Sequence, residues 1–366
     1  MVLRMGMIGG GSRLSIGQTH RLAAQATGEI ELVAGVFSSD PDRSRIAGAA
    51  YGVDPARAYT DLSTMLAAER ARSDGVDFVS IVTPNYLHYP AASAALEAGF
   101  AVMSDKPMTA RLEEARQLRS RIRQSGRPYA LSYTYSAYPA VREARARIAA
   151  GRLGDIRKIV VEYAQGWLAN PSAGEQAAWR IDPARAGVGG CVADIGVHAF
   201  HLAEFVSGLR VSRMMADLGA VVPGRALDDD CAVLLRFENG ARGAVLASQI
   251  EIGQGNGLRL RCDGEKASLV WQLDDPHCLT IHRIDGSTET VRLEGSGAVV
   301  PAPFEVQHAD GYMDAFATVY RDFAAVLRGE EAPLLPGADD GLRGMAFIET
   351  AVEASRANAG WVDLVV

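Results

Sequence analysis

The chain has 366 residues, 48% of them hydrophobic and 22% charged, with a net charge of −7, which leaves room for two globular domains and offers no basic surface of the kind that holds nucleic acid. No apolar run approaches the roughly 20 residues that cross a bilayer, and residues 1–8 lead straight into glycines with no separate signal-peptide core or cleavage site, so a cytoplasmic location is expected. The four cysteines, Cys191, Cys231, Cys262 and Cys278, form no Cys-x-x-Cys pair, which argues for isolated buried thiols rather than a zinc ribbon or thioredoxin-type site.

In chain order, apolar β-rich runs at 2–8, 30–37, 76–82 and 100–103 alternate with helical stretches at 18–26, 41–50 and 89–98. A helix over 112–126 and a strand over 129–133 follow. Near-continuous apolar strands alternating with helices predict a parallel sheet covered on both faces. After Gly154-Asp155 the pattern changes to longer, alternating strands at 156–164, 211–221, 231–237, 242–249, 258–262, 268–271, 278–284 and 289–293. Asn239-Gly240 and Asp263-Gly264 are hairpin signals, so this half predicts a largely antiparallel sheet. Residues 294–307 lack periodicity and read as a surface loop, before closing helices at 312–328 and 341–358.

The first predicted strand runs into Gly9-Gly10-Gly11-Ser12-Arg13-Leu14-Ser15-Ile16-Gly17, followed by a helical segment. Glycine permits positive φ and lets the backbone approach a pyrophosphate, and a helix N-terminus offers unpaired N–H groups and a positive dipole end. Gly9-x-Gly11 is present, but Gly17 comes later than the usual dinucleotide fingerprint allows, so the loop is longer and Ser12 or Ser15 is available to a phosphate. A plain turn in an α/β sheet is the bland alternative. At the tip of the second strand, Ser38 stands where an acid would select NAD, with Asp40 two residues beyond. Ser38 or Ser39 with Arg43 suits the 2′-phosphate of NADP, and Asp40 or Ser39 equally suits a helix cap. NAD(H) and NADP(H) both stay open. Thr83, Pro84, Asn85 and His88 follow the third strand, where ligands of such sheets lie, and are candidate cofactor contacts, with Asn85 also a possible cap.

The next strand delivers Asp105-Lys106-Pro107. A lysine at a strand end points into the same cleft, where its ammonium can meet the cofactor or stabilise a developing alkoxide or carbonyl oxygen. Far downstream, Gly189-Gly190-Cys191-Val192-Ala193-Asp194-Ile195-Gly196-Val197-His198 reads as a helix start, with Asp194 and His198 on one face. Imidazole titrates near neutrality and can take a hydroxyl proton, while the carboxylate orients it or a neighbouring hydroxyl. Asp194, His198 and His201 also form a conceivable zinc set, but no fourth ligand is evident, and no metal is expected. A capping aspartate and a core histidine are the bland alternative. Arg180 can donate a fork to a polar substrate, Trp179 can stack on a sugar ring, and Trp167 and Tyr135 complete the candidate substrate set, each equally able to sit at a domain interface.

Together the glycine turn, Thr83-Pro84-Asn85-x-x-His88, Asp105-Lys106-Pro107 and the Asp194–His198 pair resemble the Gfo/Idh/MocA family, the glucose–fructose oxidoreductase and inositol dehydrogenase group, over nearly the whole chain. The tripeptide departs conservatively from the family's Glu-Lys-Pro. The resemblance implies an α/β protein: a Rossmann dinucleotide-binding domain over 1–130, then a substrate-binding α/β domain over 131–366 with a large, mostly antiparallel open sheet. That sheet often serves as an oligomer interface, so a homo-dimer or tetramer is expected. It further implies Lys106, Asp194 and His198 as the catalytic set, and a polyol, sugar or cyclitol substrate oxidised at a secondary alcohol. The rival readings are an NAD-dependent glycosidase that recycles a bound cofactor and a non-catalytic nucleotide sensor.

Overall fold

A computed structural model describes residues 2–11, 16–170, 179–293 and 311–366. The chain forms two compact units; among the described residues the first holds 2–132 and 313–342, and the second 133–293, 311–312 and 343–366. The predicted loop at 294–307 lies outside the described residues.

The first unit is built on a five-stranded parallel sheet in the order β2-β1-β3-β4-β5, from β1 (Leu3–Gly9), β2 (Ile30–Val36), β3 (Phe78–Val82), β4 (Ala101–Ser104) and β5 (Tyr129–Leu131). Helices α1 (Ile16–Ala26), α2 (Pro41–Ala50), α3 (Leu62–Ala71), α4 (His88–Glu97) and α5 (Leu112–Ser125) connect them. Every residue of β3 and β4 is buried, as expected of central strands in such a sheet. The helix ends have local causes. Asp40 accepts the Arg43 N–H ahead of Pro41, Asp61 accepts the Thr64 N–H, and α5 stops at Gly126 in the left-handed region. The order reverses between β1 and β3, and Gly9 pairs with Val82 there. The carboxyl ends of these strands are thus the switch point at which such sheets bind ligands.

The fifth strand is shorter than the expected 129–133. Ser132 turns its hydroxyl onto Asp105, and a 3₁₀ turn opens at Thr134.

The second unit carries a nine-stranded sheet in the order β13-β12-β11-β10-β6-β9-β8-β7-β14. Its strands are β6 (Ile156–Ala164), β7 (Val211–Gly219), β8 (Asp230–Phe237), β9 (Arg242–Ser248), β10 (Gly257–Gly264), β11 (Ala267–Gln272), β12 (Cys278–Arg283), β13 (Thr288–Arg292) and the edge pair β14 (Val362–Asp363). All neighbours are antiparallel except β6 and β9. Gly240, at φ +88°, turns β8 into β9, as Asn239-Gly240 predicts. Helices α6 (Pro139–Ala149) and α7 (Val197–Ser207) pack together and against the sheet, and α7 is buried along nearly its whole length. The closing helices are α8 (Tyr312–Leu327) and α9 (Ala338–Arg356). All four cysteines are free and buried. Among the described residues no helix is long and apolar enough to cross a membrane.

Candidate active site

In the first unit, Gly9 and Gly10 adopt φ +97° and +83°, which only glycine takes without strain. Gly11 is constrained differently: a Cβ there would fall 2.3 Å from the Phe37 carbonyl oxygen at the end of β2. The turn thus threads between the tips of β2 and β3 and presents bare backbone. Ile16 opens the 11-residue α1, which has no acidic residue in its first turn to oppose an anion. Side-chain-free backbone at the switch point, followed by a helix N-terminus, fits a dinucleotide pyrophosphate. Ser12 and Ser15 lie outside the described residues. At the β2 tip, Asp40 serves as the α2 cap, Ser38 Oγ accepts the Asp40 N–H at 3.1 Å, and Ser39 and Arg43 are exposed. Asp40 therefore acts as the cap that the sequence allowed.

Beyond β3, Pro84 precedes a 3₁₀ turn at Asn85–Leu87 in which no side chain caps the start, so Asn85 is a buried first residue of the turn and not its cap. His88 is buried, with Nδ1 2.7 Å from Pro107 O and Nε2 2.9 Å from Thr83 O. Burial pushes its pKa down, so the ring is neutral at pH 7 and carries one N–H between two carbonyls. The ring is lodged between the Thr83 loop and Pro107, its single N–H bonding one of the two carbonyls.

Asp105 and Lys106 follow directly on β4, and the Lys106–Pro107 peptide is cis. The Asp105 N–H donates to Ile81 O at 2.9 Å, which ties this loop to the end of β3. Asp105 Oδ1 accepts the Lys106 N–H at 2.9 Å and the Ser132 hydroxyl, and His20 Nε2 on α1 lies 3.8 Å away. Burial would raise the Asp105 pKa, but His20, Lys106 and the Ser132 hydroxyl outweigh it and hold the carboxyl well below the usual range. A fixed negative charge therefore sits beside Lys106.

In the second unit, Asp194 does not open an α-helix. It lies inside a π-helical turn, Val192–Gly196, that runs directly into α7. Such turns concentrate at functional sites because they re-aim side chains. The turn is held by Asp228, whose carboxylate accepts the N–H groups of Gly190 (2.6 Å) and Val192 (2.7 Å) and whose carbonyl accepts that of Cys191 (2.8 Å). A Cβ at Gly190 would fall 2.2 Å from that carbonyl oxygen, so only glycine admits this approach. Asp194 Oδ2 accepts from Gln249 Nε2 at 2.9 Å and lies 3.7 Å from Arg180 Nε. The Arg180 guanidinium sits over Trp179 (4.5 Å) and Trp167 (5.8 Å).

His198, on the first turn of α7, meets the rings of Tyr135 and Tyr133 edge-on at 4.9 and 5.8 Å. Tyr135 and Tyr163 share a hydroxyl hydrogen bond, and burial raises both phenols far above their ordinary pKa. The polar chain continues from Tyr163 to Asn256 (3.1 Å), which also accepts from Gln165, and Trp167 donates its indole N–H to Gln165 (2.7 Å). Asp194, Arg180, Trp167, Trp179, Tyr135 and His198 thus belong to one contiguous network within this unit. His201 instead stacks on Tyr133 at 4.1 Å. Among the described residues no group of three or more His, Cys, Asp or Glu side chains is arranged to hold a metal ion.

Gln249, Asp228 and His20 are absent from the sequence-derived set. Each reaches the site from a distant element, and a lone Gln, Asp or His in a strand, loop or helix carries no local signal. The Gly190 requirement was visible as a glycine pair but not its partner.

Residues 3–133 match the oxidoreductase family with an NAD-binding Rossmann fold, and residues 141–270 match the GFO/IDH/MocA C-terminal domain. The oxidoreductase YfiI of Bacillus subtilis is 31% identical over 99% of this chain and 96% of its own length. The levoglucosan dehydrogenase of Pseudarthrobacter phenanthrenivorans is 26% identical over 99% of this chain and 98% of its own length. The crystal structure of an inositol dehydrogenase homologue from Azotobacter vinelandii, complexed with NAD+, superposes with a TM-score of 0.90 at 33% identity, covering 99% of this chain and 97% of that one.

Proposed function

The chain belongs to the Gfo/Idh/MocA oxidoreductase family, and on that premise we propose that it oxidises a secondary alcohol of a sugar or cyclitol to a ketone, reversibly, with NAD. The observation that carries the reading is the position of Lys106. It lies two residues beyond the carboxyl end of β4, in the sheet whose β1 ends in the glycine turn, and its neighbour Asp105 is held as a carboxylate.

When bound, the nicotinamide supplies the acceptor for hydride. Gly9, Gly10 and Gly11 with the start of α1 would hold its pyrophosphate, and Thr83, Pro84 and Asn85, which follow β3, would be further contacts. Lys106 donates a hydrogen bond to the substrate oxygen and stabilises negative charge there as the proton leaves. His198 takes that proton, and Asp194, steadied by Gln249, orients the imidazole or a neighbouring hydroxyl. Arg180, Trp167, Trp179 and Tyr135 recognise the polyol: the indoles offer flat apolar faces to C–H groups and the guanidinium a fork of donors. The levoglucosan dehydrogenase and the inositol dehydrogenase homologue support the substrate class.

The same reading makes the protein cytoplasmic and homo-oligomeric. Leu234 and Leu246, 44% and 39% exposed on the adjacent strands β8 and β9, are apolar surface for such an assembly, and light scattering gives its mass directly.

The test is turnover of purified protein, followed as reduced-nicotinamide absorbance, with NAD and NADP separately against inositols, aldoses and glycosides. Reduction of NAD by a cyclitol or sugar supports the reading. Glycoside cleavage without net reduction, or tight cofactor binding with no turnover across the panel, contradicts it.

A further inference from the structure

We infer that His20 is a positioning residue for Lys106, acting through Asp105 as the inner end of a buried Ser80–Tyr320–His20 hydrogen-bond cluster. The inference rests on the proposed role of Lys106.

His20 is fully buried on α1. Its Nδ1 lies 2.7 Å from the Tyr320 hydroxyl and 3.3 Å from Ser80 Oγ, and those two hydroxyls are 2.9 Å apart. Its Nε2 has no hydrogen-bond partner and faces Asp105 Oδ1 at 3.8 Å. The ring is wedged edge-on against Phe316 at 4.6 Å and Tyr320 at 5.8 Å, so it has no room to turn. A hydroxyl donating to Nδ1 leaves the ring proton on Nε2, directed at the carboxylate. Nδ1 is served by hydroxyls that cannot accept and donate to the same neighbour at once. Of the two directions this relay can run, Ser80 donating to Tyr320 and Tyr320 to His20 is the one that turns an N–H rather than a lone pair toward the Asp105 carboxylate, and it is the direction inferred.

Asp105 Oδ1 then accepts two hydrogen bonds, from the hydroxyl after β5 and from the Lys106 backbone itself, with the His20 ring on α1 facing the same oxygen at 3.8 Å. The titratable groups facing it are His20, Lys106, His88 and Tyr320. His88 braces Pro107 on the far side of Lys106. The lysine backbone is thus fixed on both sides, and its ammonium works beside a carboxylate that stays ionised. Four elements separated by up to 300 residues supply the cluster. A helix core has no packing need for an imidazole at this position, since a buried polar ring costs free energy unless its nitrogens serve a partner.

The experiment compares wild type, His20→Gln, Tyr320→Phe and Lys106→Met, as the full-length protein. It measures kcat and KM from about pH 5 to about pH 9, NAD binding by fluorescence, and the imidazole ¹⁵N shifts of the cofactor-free wild type. Loss of the His20 resonances in His20→Gln assigns them among the seven histidines. Expected are a proton on Nε2 of His20, a fall in kcat of about tenfold in His20→Gln with NAD affinity within about twofold, and a new acid limb in kcat, present more weakly in Tyr320→Phe. An Nδ1–H tautomer, or pH profiles of the variants parallel to wild type while Lys106→Met is inactive, overturns the inference. Undiminished turnover in Lys106→Met instead removes the proposed function on which it rests. If His20→Gln fails to fold, the kcat–pH profile of Tyr320→Phe decides: an acid limb absent from wild type supports the inference and a profile parallel to wild type overturns it.

Discussion

Lys106→Met keeps the length and most of the apolar stem of the side chain and removes only its charge and donors. If the ammonium stabilises the developing oxygen charge, turnover falls on the order of 10²- to 10⁴-fold, whereas the NAD dissociation constant moves little. Steady-state kinetics and fluorescence titration read the two separately. Asp105 gives a pH signature. Its folded pKa lies below the unfolded value, so its stabilising contribution is present above about pH 4 and fades as the pH falls through the folded value. Asp105→Asn therefore loses most stability near neutrality, and the gap to wild type narrows on acidification, as urea unfolding at several pH values measures. A constant gap contradicts the assignment. Lys106, Asp194 and His198 stood out as candidates in the sequence because each sits in a short local pattern. His20 and Gln249 were not, since their meaning arises only when α1 meets β4 or when β9 reaches the Val192–Gly196 turn.

Elements explain why two glycines with similar sequence surroundings act differently. Gly11→Ala pushes a methyl group against the Phe37 carbonyl, in the turn proposed to hold the pyrophosphate. It should weaken NAD binding and destabilise the protein by roughly 1–3 kcal/mol. Gly190→Ala pushes against the Asp228 carbonyl, which displaces the N-terminal support of the turn carrying Asp194. It should lower kcat while leaving NAD affinity close to wild type. Reversal of that split, measured by titration and kinetics on the two variants, contradicts the division of labour. A strand running into glycines marked Gly11 in the sequence, and a glycine pair ahead of a helix start marked Gly190. The sequence did not show the π-helical turn, because an inserted residue in a helix has no periodicity signal over one turn, and it made Asp194 a helix start. It also offered His88 as a cofactor contact, which a strand-end position favours, but gave no sign that the ring is buried between two backbone carbonyls.

At the scale of the whole molecule, the alternation of strand and helix and then the run of hairpin strands carried the α/β class and the two sheet types. The order of the nine-stranded sheet was not legible. The parallel β6–β9 pairing and the β14 edge join segments far apart in sequence, and pairing register depends on non-local packing. Mass action gives a global prediction: NAD at about 100 times its dissociation constant stabilises the folded state by about 2.7 kcal/mol, seen as a raised unfolding temperature that increases with NAD concentration. Turnover should be unchanged after exhaustive chelation, and its loss would revive Asp194, His198 and His201 as metal ligands.

The central claim is that hydride leaves a secondary carbinol carbon of a polyol for the nicotinamide. The most direct measurement uses a cyclitol or sugar substrate deuterated at that carbon, with the cofactor recovered and examined by mass spectrometry. The account predicts one deuterium on the reduced nicotinamide for each ketone formed. Ketone or cleaved glycoside appearing with no deuterium retained in recovered reduced cofactor would contradict it.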